Sequence, residues 1–147
     1  MAEFAFNPIQ LVEPNQNIIL DTVIPCNKGY VFHRDQSGIL ILRGITNNCF
    51  ARYQVTFNGN IALPEDASAV VPISVSLAID GEPVQTSRAI VTPAAVDEYF
   101  NVTSTAIITV PRGCCFTVAV ENTSAIVDGV APEINVQNAN MTVSRIA

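Results

Sequence analysis

The strongest constraint on this chain is a two-residue rhythm of apolar side chains. Across residues 71–79, Val71, Ile73, Val75, Leu77 and Ile79 alternate with Pro72, Ser74, Ser76 and Ala78. Across residues 49–57, Cys49, Ala51, Tyr53, Val55 and Phe57 share one register while Arg52, Gln54 and Thr56 take the other. Successive side chains on a strand point to opposite faces, so this rhythm belongs to strands with one greasy side. No segment sustains a helical stripe. The nearest, residues 93–99, allows two turns at most.

Further strand-like segments cover residues 17–24, 29–33, 38–43, 84–92, 100–110, 114–121 and 134–146, set off by Gly, Pro and Asn. Two tight turns stand out. Asp80-Gly81-Glu82-Pro83 predicts a hairpin back from residues 71–79. Pro111-Arg112-Gly113 predicts a second, in which Val102, Ser104, Ala106, Ile108 and Val110 are answered by Phe116, Val118 and Val120. Short strands at this spacing predict an all-β fold, a single antiparallel sandwich or jelly roll over residues 17–147. Residues 1–16 read as an N-terminal arm. Phe4, Phe6, Ile9, Leu11 and Val12 make it apolar, while Pro8 and Pro14 argue against a helix or a central strand. Such an arm packs on its own jelly roll or a neighbouring one, or anchors the protein in a larger assembly.

A chain of 147 residues is one domain and can bury its own core without staples. Only 14% of its residues are charged, against about a quarter in an average domain. Surface shared in an oligomer is the simplest remedy. The formal charge is −6, with no basic patch, which speaks against nucleic acid as a partner. No apolar run is long enough for a membrane helix. The opening Met1-Ala2-Glu3-Phe4 lacks the basic start and apolar stretch of a classical signal peptide, so release by a route other than ordinary secretion is expected.

Cys26, Cys49, Cys114 and Cys115 match no zinc spacing, and the expectation is buried, reduced thiols. Cys114 falls in register with Phe116 and Val118, hence the core, and Cys115 on the opposite face. A strained vicinal disulfide is the alternative. His33, the only histidine, sits in His33-Arg34-Asp35, which has the letters of a kinase catalytic loop but none of its companions. It reads as a solvated or hydrogen-bonded turn residue. The acidic pairs Glu65-Asp66, Asp80-x-Glu82 and Asp97-Glu98 read as solvated loop acids, without a calcium loop. No catalytic residue, metal site or cofactor is expected, and the chain is not read as an enzyme.

From Cys49 onward the segments have a familiar order. Phe50-Ala-Arg-Tyr-Gln-Val-Thr-Phe57 is followed by Ile73-Ser-Val-Ser-Leu-Ala-Ile-Asp-Gly-Glu-Pro83 and Ile107-Ile-Thr-Val-Pro-Arg-Gly113. Phe116-Thr-Val-Ala-Val-Glu-Asn122 and Asn140-Met-Thr-Val-Ser-Arg-Ile146 close the series. This order resembles the jelly-roll head shared by tumour necrosis factor and the complement globular domain. Asn7-Pro-Ile-Gln10, Pro25-Cys-Asn-Lys-Gly29, His33-Arg-Asp-Gln-Ser-Gly38 and Leu42-Arg-Gly44 resemble the N-terminal portion of small members from gut Firmicutes and their bacteriophages. The resemblance implies about ten strands and a homotrimer with apolar, often aromatic, contacts near its axis. Tyr53, Phe57, Phe100 and Cys115 are the candidates for that interface. It carries over no catalytic residue, and the Gly-x-y repeat of a collagen-like stalk is absent. The expected role is a structural virion protein: a capsid decoration or head/tail-associated protein of a bacteriophage, with the arm contributing to its anchorage. Its partners are then its own copies and the major capsid protein or another virion protein. The alternative is a head on a bacterial cell or spore surface that binds carbohydrate or host protein.

Overall fold

The alternating segments pair into two facing sheets. The computed structural model describes residues 2–24, 29–34, 36–129 and 131–147. In chain order the strands are β1 (Ala2–Phe6), β2 (Gln10–Val12), β3 (Thr22–Ile24), β4 (Val31–His33), β5 (Leu40–Arg43) and β6 (Phe50–Ala62). They continue as β7 (Ile73–Ile79), β8 (Glu82–Pro83), β9 (Ala89–Val91), β10 (Phe100–Pro111), β11 (Cys115–Asn122) and β12 (Ile134–Arg145). The first sheet runs β10-β6-β12-β1-β3, with β2 also on β12; the second runs β4-β5-β11-β7-β8, with β9 also on β7. Among the described residues the helical structure is a single 3-10 turn, Gln85–Ser87. The all-β jelly-roll expectation holds.

The core lies between the sheets. Ala51, Tyr53, Val55 and Phe57 of β6 and Met141 and Val143 of β12 meet Leu40 and Leu42 of β5, Leu77 of β7 and Val118 and Val120 of β11. All are buried, at roughly 25 cal/mol of stabilisation per Å² of apolar surface removed from water. β7 departs from its expected one greasy face, because Ser74, Ser76 and Ala78 are buried as well. Small side chains there form a floor over which Arg88 lies, donating from Nε to the Ser74 hydroxyl (3.0 Å) and from Nη2 to the Thr123 carbonyl (3.0 Å).

Two expectations are corrected. Residues 100–110 and 114–121 do not form a hairpin. β10 pairs with β6, whereas β11 pairs with β5 and β7, so the turn between them carries the chain across from one sheet to the other. Their apolar side chains answer one another through the core. Gly44 makes room for this crossing: a Cβ there would collide with the Pro111 carbonyl. The other hairpin is present, with Asp80 (φ 52°) and Gly81 (φ 84°) in the left-handed region between β7 and β8.

The second concerns the arm, which packs on its own jelly roll, one of its expected placements, but does so as a central strand that its prolines argued against. β1 lies inside the first sheet between β12 and β3, and β2 extends along the same edge of β12. Pro8 falls in the gap between the two strands and Pro14 beyond them, so neither removes a ladder bond. Residues 2–6 and 10–12 therefore pair into the sandwich's first sheet. The bulge between Gln137 and Asn140 faces that gap, where the Asn138 amide donates to the Asn7 carbonyl (3.2 Å).

Candidate binding surfaces

The outer face of the first sheet is built from short uncharged polar side chains. Register places Thr105, Thr56 and Thr142 in one row across β10, β6 and β12, and Thr103, Asn58 and Asn140 in the next. They bond among themselves. Thr56 and Thr105 share a hydroxyl hydrogen bond (3.0 Å), Asn101 donates to Asn60 (3.2 Å), and Asn140 donates to the Glu3 carboxylate. Charged residues on the strands of this face, among those described, are Arg52 near one end and Glu3 on β1. Neutral polar groups already paired across the strands lose far less on leaving water than charges do. Ile107 and Leu11 stand exposed on the same face (63% and 55%).

The ends of the sandwich differ from this face. One gathers the loops that follow β6, β9 and β11. There a cleft of about 440 Å³ opens between residues 63–71 and 127–133, with Leu63, Val71 and Pro132 along it and Asp66, Asp128 and Glu133 among its lining. The opposite end carries the loops after β5 and β10. Arg145 lies over the Tyr30 ring (4.3 Å) with its Nη1 buried and unpaired, and Arg52 lies over Phe50 (5.0 Å). The Tyr53 hydroxyl donates to the Arg43 carbonyl (2.5 Å). Burial pushes this phenol's pKa up, opposed by the Arg145 guanidinium beside it.

The residues picked from the sequence scatter over these regions. Phe4 and Val12 are core residues, Phe6 is half-buried, and Ile9 and Leu11 are 55% exposed. Tyr53 and Phe57 have no exposed surface, so they cannot meet another copy; their alternation marks the core and not an axis. Phe100 is partly exposed and Cys115 is exposed. Cys49, Cys114 and Cys115 are free but exposed, not buried: Cys49 lies in the loop before β6, Cys114 in the turn that projects past the sheet edge where register no longer implies a core, and Cys115 on the outward side of β11. Cys26 lies outside the described residues. His33 stacks on Phe4 (5.2 Å) and donates from Nε2 to the Ser37 carbonyl (2.8 Å), tying down the turn after β4. Among the described residues, no group of three or more His, Cys, Asp or Glu is placed to hold a metal.

Two antiparallel sheets closing on a shared core, with the last strand beside the first, define a jelly-roll head. The globular domain of zebrafish complement 1qA has the same fold: 11% identity, 96% of this chain and 94% of that one covered, TM-score 0.57. Matches also include murine APRIL (11% identity, 92% and 98% covered, TM-score 0.48) and the EclA C-terminal domain, described as a sugar-binding protein (16% identity, 94% and 79% covered, TM-score 0.45). Neither a protein-family model nor a curated protein sequence matches the chain. No helix of the described chain is long and apolar enough to cross a membrane.

Proposed function

We propose that this chain is a non-enzymatic structural head that forms a homotrimer through the outer face of its first sheet and decorates a bacteriophage capsid. The observation that carries the assembly is the Thr/Asn face. It is broad, regular and nearly free of charge in a chain with only 14% charged residues, so covering it with another copy displaces few ions from water. Ile9 and Leu11, exposed at the β2 margin of that face beyond its Thr/Asn rows, supply an apolar contact for the major capsid protein. Sedimentation equilibrium should give three times the 15.8 kDa chain mass at micromolar concentration. Thr56→Lys combined with Asn58→Lys should stay folded and fall to one chain. A wild-type protein that sediments as a single chain overturns the reading. For the virion role, Ile9→Asp with Leu11→Asp should leave purified particles undecorated.

One observation favours a second reading, a surface head that binds carbohydrate or host protein. The end cleft is large enough for a small ligand and combines apolar walls with carboxylates. Binding on a glycan array that Asp128→Ala abolishes would support it over the capsid role.

A further inference from the structure

The charges that the outer face lacks collect at the two ends, and they separate by sign. At the cleft end stand Glu65 and Asp66 after β6, Asp97 and Glu98 after β9, and Asp128 and Glu133 after β11. These are six of the chain's 13 acids. At the opposite end stand Arg43 at the close of β5, Arg52 early in β6, Arg112 in the β10–β11 turn and Arg145 at the close of β12. Of the exceptions among the described residues, Glu82 and Arg34 (the latter in the turn between β4 and β5) stand exposed, and two are occupied. Arg88, towards the acidic end, is bonded to Ser74 and Thr123, and Asp80, towards the basic end, accepts from the Thr117 amide and hydroxyl.

Each end also exposes apolar side chains. Val70, Ile126 and Val127 are 46%, 71% and 37% exposed at the acidic end; Ile45, Phe50 and Ile146 are 44%, 39% and 49% exposed at the basic end. An apolar patch rimmed by one sign of charge is the make-up of an interaction surface. Here one chain carries both complementary halves. Arg112 stands on an exposed turn tip, and the cleft at the other end is lined by carboxylates on two loops. We infer that copies of this protein associate end to end, with the Arg112 turn of one copy seated at the acidic cleft of the next.

The two halves lie on different parts of the molecule, so the contact is heterologous. Each copy keeps one free end of each kind, and the contact extends into columns unless a rotation closes it. Apart from Arg52 and Phe50 at one margin of the first sheet's outer face, it draws on neither that face's Thr/Asn rows nor Ile9 and Leu11, so it is a contact separate from the trimer.

The test is sedimentation velocity on the full chain at 20–200 µM, in about 20 mM and about 500 mM salt. End-to-end species should dominate in low salt and fall away in high salt, where the Debye length shrinks to a few ångströms. An assembly through the uncharged face should persist in both. Arg112→Glu and Asp128→Lys should each weaken the large species about tenfold while leaving the salt-resistant species and the circular dichroism spectrum unchanged. Mixed in equal amounts, the two variants should recover larger species, because each retains one native end and the altered ends now complement one another. Low-salt species no larger than those in high salt overturn the inference. So do large species that ignore both charge reversals.

Discussion

The two sheets reach stability by different means. The first is assembled from strands of 12 and 13 residues whose ladders run nearly its full length. The second is made from short pieces, and side chains complete what its backbone leaves open. Between β8 and β9 the edge of β7 is interrupted by the 3-10 turn, and the Ser87 hydroxyl accepts the Leu77 amide (3.1 Å) while donating to the Val84 carbonyl (2.7 Å). Asn122 ends β11 by donating to the Val12 and Pro132 carbonyls (3.1 and 3.0 Å), fastening the second sheet to the first. Regular pairing makes one sheet tolerant of surface change. Dependence on single hydroxyls and amides makes the other brittle.

The comparison can be broken first at the core. Phe57→Ala should cost about 4 kcal/mol and Leu77→Ala about 3, read by urea unfolding. A larger loss at Leu77 than at Phe57 would show the second sheet to be the more sensitive to lost packing as well as to lost hydrogen bonds. Asn122→Ala should cost about 2 kcal/mol, since it orphans two buried carbonyls far apart in sequence. Little change in its unfolding midpoint would mean the sheets are held together by packing alone. Ser87→Ala should cost about 1 kcal/mol and raise amide exchange at Leu77 specifically. At the small end, Thr56→Ala should shift protomer stability by less than about 0.5 kcal/mol.

Glu121 sharpens the same contrast through pH. Burial raises its carboxyl pKa above the ordinary 4.5. The native state then holds its proton more tightly than the unfolded chain does. That contribution is complete below pH 4.5 and is lost as pH climbs through the raised folded value. Glu121→Gln should therefore be the more stable protein at pH 7, and the gap should close on acidification. A gap that widens towards acid would show the carboxylate to be favourably paired.

Alternation bounded β10 and β12 closely and found the first part of β6, which runs on to Ala62 beyond the expected end at Phe57, because long strands facing one core leave a period that nothing else mimics. It could not say what a greasy face meets. Tyr53 and Phe57 satisfy the same pattern whether they face a core or a neighbouring copy, and Val110 and Phe116 look alike across a hairpin or across a sandwich. The prolines misled because their effect depends on position: Pro8 sits between two strands, not in one. Cys114 misled because register continues past the sheet edge while burial does not. The opposed ends were invisible for another reason. Their charges are spread from Arg43 to Arg145, and only the topology gathers them.

The seat of β12 in the first sheet bears on how the molecule is made. It lies between β6 and β1, and Ala2 to Phe6 pair with Val143 to Ala139. The strands that β12 pairs with, β1, β2 and β6, are all synthesised before it. Until residues 134–145 leave the ribosome, β1 lacks that neighbour and Thr56 and Phe57 face an open edge. Folding must wait for nearly the whole described chain, and closing so long a loop is slow. A chain that stalls before residue 134 would expose an unpaired, apolar-faced sheet to its neighbours, a species for chaperones and proteases to handle.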